Sequence, residues 1–205
     1  MTFLNEIYIR LDQRFLVAAL LIDYSKAFET IDHNIMHDKL ILQYNFSNKS
    51  AQLILNYLSN RSFRVLMNES SSDQMSLTNG VPQGSILGQL LFIMYINDLP
   101  LFVERSNKVN IYADDTGSVI HENSVEGLQI KVNDCLKNLD HYSCRNKLKL
   151  NISKTKILYF NPNANVNHDL NVCLDSQLVE QVESVVYLGF HIDSKLNFTP
   201  LTNHI

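Results

Sequence analysis

Phe15-Leu-Val-Ala-Ala-Leu-Leu-Ile22 runs straight into Asp23. Eight apolar residues without alternation suit a strand covered on both faces, because a strand with one wet face alternates apolar and polar. The charge that ends the run is the informative residue. A carboxylate at the end of a buried strand is costly to desolvate unless a cation or hydrogen bonds hold it. Taken alone, Asp23 reads more simply as an N-cap or turn residue for the segment that follows.

Moving outward, Phe3, Leu4, Ile7 and Leu11 fall at helical spacing over residues 2–12. The pattern predicts a helix over 34–43 with Asp32 as its N-cap, and a second over 49–59 with Ala51, Leu55 and Leu58 on one face. Residues 62–67 and 73–78 read as strands around a loop at Ser70-Ser71-Ser72-Asp73. Residues 85–96 are apolar on nearly every side, the mark of a core helix, and Pro100 should prevent its continuation. Residues 108–120 read as two strands around Ala113-Asp114-Asp115. Leu128, Val132, Cys135, Leu139 and Tyr142 mark the longest helix, over 124–146. Short strands are expected over 155–160, 170–180 and 185–193, with a turn at Asn161-Pro162-Asn163. Strands and helices are mixed, which gives an α+β fold class.

Composition narrows the function classes. The chain has 205 residues, 45% of them hydrophobic, enough to bury a core and too many for wholesale disorder. Lys and Arg number 17 against 21 Asp and Glu, so the formal charge is −4. That excludes a histone-like protein held to nucleic acid by bulk charge, but not a local basic groove. Residues 131–156 carry seven basic residues against Asp134 and Asp140, a local excess that suits a phosphate-facing edge or, for Lys131 and Lys137, a solvated helix face. Three widely spaced cysteines form neither a disulfide framework nor a CxxC pair, so free thiols in a reducing compartment are expected. No stretch reaches the ~18 uncharged apolar residues of a membrane span, and no basic leader precedes an apolar core. An intracellular protein with no membrane partner is expected, nucleus and cytoplasm being indistinguishable.

Two further stretches carry chemistry. Asp114-Asp115 sets adjacent carboxylates in a tight turn between apolar strands, where a divalent cation would relieve their repulsion. Hard oxygen donors suit Mg²⁺ or Mn²⁺. By itself the pair is a weak motif, because Asp is a common turn residue. Gly80-Val-Pro-Gln-Gly-Ser85 fixes an unusual backbone just ahead of the apolar helix, with Ser85 able to cap it and Gln83 held between rigid neighbours. His33 and His37 are four apart, but lack a third ligand and read as surface or satisfied histidines.

The order of the three stretches is specific where each alone is not. A carboxylate closing a core strand, a glycine-rich turn into a core helix, and a paired-Asp hairpin form the layout of a polymerase palm. The chain resembles the reverse transcriptase domain of non-LTR retrotransposons, the jockey-like kind especially. Leu21-Ile-Asp-Tyr-Ser-Lys-Ala-Phe-Glu-Thr-Ile-Asp-His33 resembles the family's first catalytic motif. Gly80-Val-Pro-Gln-Gly-Ser-Ile-Leu-Gly88, continuing to Tyr95-Ile-Asn-Asp-Leu-Pro100, resembles the second, and Tyr112-Ala-Asp-Asp-Thr116 the third. Leu148-Lys-Leu-Asn-Ile-Ser-Lys-Thr-Lys156 is similar to the fourth, and Tyr187-Leu-Gly-Phe-His-Ile-Asp193 to the fifth, the primer grip. Gln89 departs from the family's usual Pro and Glu29 from its usual Asp, and neither change removes a catalytic group.

The resemblance implies a right-hand palm with a central antiparallel sheet on helices, residues 1–205 forming a partial domain with part of the fingers and no thumb. It implies RNA-directed DNA polymerase activity on an RNA template, a DNA primer and dNTPs. It implies Asp23, Asp114 and Asp115 as catalytic carboxylates holding two Mg²⁺ ions, or Mn²⁺, with the Tyr24 carbonyl helping one. It places Phe28 under the incoming sugar, Gln83 on the nucleotide, Ala113 at the primer end and Lys154 near the triphosphate. An RNA-dependent RNA polymerase fits less well, since such enzymes usually need room where Phe28 stands and Gly where Ala113 stands. The competing reading from another class is a truncated, non-catalytic relic that at most binds nucleic acid.

Overall fold

The computed structural model describes residues 2–68, 70–103, 108–112, 115–163 and 168–196. The apolar run is a strand, β1 (Leu16–Ile22), buried from Val17 onward. It lies in the middle of a five-stranded sheet. β7 (Asp115–Glu122) flanks it antiparallel on one side and β8 (Lys156–Phe160) antiparallel on the other. β6 (Lys108–Tyr112) continues the sheet beyond β7, and β11 (Glu180–Val182) pairs parallel with β8 at the other edge. A central strand needs cover on both faces, and this is why β1 carries no polar alternation.

Each face has its own cover. Val17, Ala19 and Leu21 share one core cluster with Val119, Leu158 and Phe160 of the neighbouring strands. Phe3 and Ile7 of α1 (Thr2–Asp12) and Tyr187 and Ile192 of a hairpin, β12 (Ser184–Tyr187) with β13 (Phe190–Asp193), close over it. The opposite face meets α6 (Val125–Arg145), where Cys135 Sγ lies 3.7 Å from Ser118 Oγ of β7. Leu128, Val132, Cys135, Leu139 and Tyr142 are all buried along α6, the steps of four and three that the sequence shows.

The chain divides into two compact units. One comprises Met1–Ser25, Asp98–Ser143 and Leu150–Ile205, and it holds the sheet, α1, α6 and the short α5 (Leu99–Val103). The other comprises Lys26–Asn97 and Cys144–Lys149. It holds α2 (His33–Leu42), α3 (Asn48–Leu58), α4 (Ile86–Ile96) and two small ladders, β2 (Arg61–Phe63) with β5 (Met75–Leu77) and β3 (Leu66–Met67) with β4 (Ser70–Ser71).

Several sequence expectations need correction. α4 buries Leu91, Phe92, Tyr95 and Ile96 but exposes Ile86, Leu90 and Ile93, so it is apolar all round without being covered all round. Ser70-Ser71 is a paired strand and not loop. Asn68, at φ 54°, supplies the left-handed turn, and the Ser72 hydroxyl accepts from the Val65 N–H at 2.9 Å. Pro100 opens the new helix α5, since the first turn has no N–H to lose there. Residues 170–180 contain a hairpin, β9 (Cys173–Leu174) with β10 (Gln177–Leu178), turned by Asp175 and Ser176 at positive φ. Ile86–Val103 has the length and hydropathy of a membrane span, but it is broken between α4 and α5 and buries Phe92, Tyr95, Ile96 and Leu99 in protein.

The second unit is tied by Asp32. Its Oδ1 accepts from the N–H groups of Asn34 (2.9 Å) and Ile35 (3.0 Å), capping α2, and its Oδ2 accepts from Lys147 Nζ at 2.6 Å. Burial pushes the Asp32 carboxyl up, but the Lys147 partner and the two N–H groups outweigh it and hold its pKa below the ordinary value. A depressed folded-state pKa stabilises above the unfolded value and is lost as pH falls through the folded one. Asp32→Ala should therefore lower the unfolding free energy by ~1 kcal/mol, the cost of a missing cap. The gap should close below about pH 4, and urea titrations at neutral and acid pH measure both effects.

Candidate active site

Asp23 and Asp115 sit at the same end of neighbouring strands. The register pairs Ile22 with Thr116, so continuing β1 by one residue brings Asp23 level with Asp115. Asp115 opens β7 opposite Tyr112, the last pair of the β6–β7 ladder at that end. Asp115 is thus a strand residue and not part of the turn; Ala113 and Asp114 lie outside the described residues. Strand alternation carries Asp23 to the face of Leu21, and Asp115 to the face of Gly117 and Val119, which is the same face. Asp23 is half-buried and Asp115 exposed, so the pair lies where a core face reaches solvent.

Tyr24 takes the other face. Its ring is buried, and burial pushes its phenol above the ordinary range, with the Ser143 hydroxyl of α6 beside it opposing that shift. This anchor leaves the Tyr24 backbone in an antiparallel bridge with Leu150. The bridge hydrogen bond runs from the Asn151 N–H to the Asp23 carbonyl at 2.8 Å, so the Tyr24 carbonyl is not its acceptor.

A contact that the sequence reading missed holds Asp23 from the other side. The Asp23 N–H donates to Thr155 Oγ1 at 3.4 Å, and that hydroxyl donates to the Asn151 carbonyl at 2.9 Å. The same carbonyl accepts from the N–H groups of Lys154 (3.1 Å) and Thr155 (2.8 Å). Thr155 is fully buried. The available signal was a lone Thr between two lysines at the mouth of an apolar strand, where a buried hydroxyl must find partners. Lys154 itself is exposed on this turn.

Tyr187 reaches the same end of the sheet. Its ring stacks at a tilt on Phe3, with centroids 4.8 Å apart. A side chain at Gly117 would meet the Phe3 ring and the Tyr187 hydroxyl, so glycine there is what lets both approach β7 closely. Burial, and then the Asp115 charge, push the Tyr187 phenol up to about 12.

The glycine-rich turn is built within the second unit. Gly80 has φ 84°, and a Cβ there would stand 2.8 Å from the Glu29 carbonyl oxygen, so only glycine fits. The Gly80 N–H donates to Ile31 O (2.8 Å), the Val81 N–H to Phe28 O (2.9 Å), and buried His33 Nε2 donates to Gly80 O (2.8 Å). His33 is thus a satisfied structural histidine. Ser85 caps α4 as expected, accepting from the Gly88 N–H at 3.0 Å. Gln83 is exposed and donates to Glu29 Oε1 at 3.3 Å. Phe28 is half-buried in a 3-10 turn (Ala27–Glu29), its ring 4.6 Å from Phe92 of α4.

Charge and donor chemistry set what the site can hold. Asp23 and Asp115 offer hard carboxylate oxygens, the donor type that Mg²⁺ and Mn²⁺ take. Among the described residues no group of three or more His, Cys, Asp and Glu is placed to hold a metal. The expected basic edge is partly consumed. Lys131 pairs with Glu122 at 3.1 Å, Lys147 with Asp32, and Lys156 with Glu180. An ion-paired lysine offers little to a phosphate, so the local excess of positive charge overstates the surface available to nucleic acid. Cys135, Cys144 and Cys173 form no disulfide among the described residues.

Known proteins share the sequence pattern and the fold of this chain. The chain is 28% identical over 190 residues to the probable RNA-directed DNA polymerase from transposon BS of Drosophila melanogaster, which covers 89% of this chain and 20% of that protein. It is 25% identical over 154 residues to the RNA-directed DNA polymerase from mobile element jockey of the same fly, covering 72% and 16%. The chain thus spans about a fifth of the length of these relatives. Its fold is shared with telomerase from Candida tropicalis, solved with a fragment of telomeric RNA, at a TM-score of 0.63 and 13% identity over 100% of this chain and 32% of that one. The apo telomerase from the same yeast gives a TM-score of 0.60 over 93% and 38%. Residues 12–192 match the family model described as reverse transcriptase (RNA-dependent DNA polymerase), and the chain belongs to that family.

Proposed function

We propose that this chain is the palm, with part of the fingers, of an intracellular RNA-directed DNA polymerase of a retrotransposon. Its substrates are dNTPs, added to the 3′-hydroxyl of a DNA primer on an RNA template. The observation that carries the reading is the Ile22↔Thr116 register, which brings Asp23 level with Asp115 at one end of the central strands. Asp23, Asp114 and Asp115 would hold two Mg²⁺ ions, and the Tyr24 carbonyl would assist one of them. Bound there, the metals would lower the hydroxyl's pKa and neutralise the phosphate charge.

The chain's own residues do the rest. Phosphoryl transfer needs positioning more than covalent chemistry. Phe28 stands under the sugar and Gln83 on the nucleotide, each fixed by the glycine-rich turn. By family resemblance Ala113 would face the primer end. Lys154 offers its charge to the triphosphate from a turn whose backbone is tied to Asp23. The RNA-bound telomerase that shares the fold supports an RNA template as partner.

The test is primer extension on an RNA template with dNTPs and Mg²⁺. It compares this chain with one extended at both ends by sequence from a curated relative. Extension by the longer chain that depends on Asp114 is the expected result. Failure of the longer, folded chain to extend any primer favours the relic reading.

A further inference from the structure

We propose that Thr155 is a positioning residue for Asp23, coupling the turn that carries Lys154 to the backbone of the first carboxylate. The inference rests on the reading of Asp23 as a metal ligand.

The hydrogen bonds form a closed circuit. The Asp23 N–H donates to Thr155 Oγ1, and Thr155 Oγ1–H donates to the Asn151 carbonyl. The Asn151 N–H then donates to the Asp23 carbonyl at 2.8 Å. Both backbone polar groups of Asp23 are therefore held by one five-residue turn, and the single side chain in the circuit is that of Thr155. It can serve because a hydroxyl accepts and donates at once. Its full burial keeps bulk water from replacing it.

Asp23 stands just beyond the last ladder pair of β1, Ile22↔Thr116, so the sheet does not fix it. On one side it is followed by the anchored Tyr24 ring, and on the other it is clasped by residues 151–155. A carboxylate on a backbone held at both ends keeps its direction when a divalent cation arrives. Groups that orient a ligand from one step back typically change metal affinity 10–100-fold when removed.

The turn is also pinned from within. Asn151 O accepts from Lys154 N, Thr155 N and Thr155 Oγ1, while Ser153 Oγ donates to Asn151 Oδ1 at 2.8 Å. Loss of the Thr155 hydroxyl breaks one of the two links between this turn and Asp23, the one to its N–H, without touching the carboxylate.

The experiment is Mn²⁺ binding to this chain, followed by electron paramagnetic resonance, for the parent, Asp23→Asn, Thr155→Val and Thr155→Ser. Amide hydrogen exchange at Asp23 and thermal unfolding accompany it. The expected result is that Thr155→Val weakens Mn²⁺ about 10-fold and speeds exchange of the Asp23 amide, while Thr155→Ser binds as the parent does. A purely structural threonine would lower the melting temperature and leave the Mn²⁺ affinity of the folded fraction where it was; that result overturns the proposal. Parent binding that is absent, or indifferent to Asp23→Asn, overturns the metal reading itself and takes this inference with it. If Thr155→Val loses its cooperative transition, Thr155→Ala takes its place and is read against Thr155→Ser in the same way.

Discussion

Asp114→Asn or Asp23→Asn, made in a chain long enough to extend a primer, is expected to lower turnover at least ~10³-fold and to leave the fold intact. The size follows from the chemistry. Phosphoryl transfer gives a protein little covalent work, so positioning and charge neutralisation carry almost the whole rate. Each substitution preserves shape and removes one negative charge from the group of carboxylates that would hold the metals. The loss should fall on kcat more than on the KM for dNTP, because the charge matters most as it develops in the transition state.

Stability should move the other way. Asp23 and Asp115 lie level at one strand end, and like charges at close range repel. With no cation bound, Asp23→Asn is expected to hold or slightly raise the melting temperature. That is the usual trade at a site strained for function. Steady-state extension and thermal unfolding on the same preparations check both signs. A variant that retains activity within about tenfold of its parent would remove Asp23 or Asp114 from the chemistry, since mutating an essential group costs far more.

The central strand was legible in the sequence because burial on both faces forbids alternation, and Phe15–Ile22 has none. α6 was legible because its buried residues keep helical steps from Leu128 to Tyr142. The hairpin of the third motif was legible from two apolar runs around a short polar link, though not the fact that Asp115 belongs to the ladder. What composition could not show was which side of an apolar element is covered. α4 reads as core on every face, yet Ile86 is 90% exposed. Periodicity is silent when every position is apolar, and only packing decides. The lysines failed for a related reason. Charge counts do not register partners: Lys131 pairs with Glu122, Lys147 with Asp32 and Lys156 with Glu180.

The Ser85 cap and the special backbone at Gly80 were readable from residue type and order. The clasp on Asp23 was not. Thr155 lies 132 positions from Asp23, and a buried hydroxyl leaves no period in the chain. Its role comes from the β1–β8 pairing, where Leu21↔Lys156 brings the start of β8 beside the end of β1.

Phe28→Val is expected to do two things at once. The ring is half-buried and lies 4.6 Å from Phe92 at a tilt of 39°, so it contributes to the packing of the second unit. Aromatic pairs of this kind are worth ~0.5–1.5 kcal/mol beyond area, and the smaller side chain also loses buried surface. A stability loss of about 1–3 kcal/mol should follow, below the cost at a fully buried site. The exposure that Phe28 keeps is what allows a role toward substrate. If Phe28 lies under the incoming sugar, an aromatic edge fills the space that a ribose 2′-hydroxyl needs, and discrimination works by clash. Valine removes the clash, so incorporation of ribonucleotides relative to deoxyribonucleotides should rise by an order of magnitude or more, about 1.4 kcal/mol per tenfold. Phe92→Leu separates the two effects. It weakens the same ring pair from the α4 side and should lower the melting temperature without moving the sugar preference. Measuring kcat/KM for both nucleotide types alongside thermal unfolding reads them together. A Phe28→Val enzyme that is less stable but equally selective would assign Phe28 to packing alone and end its case as a gate.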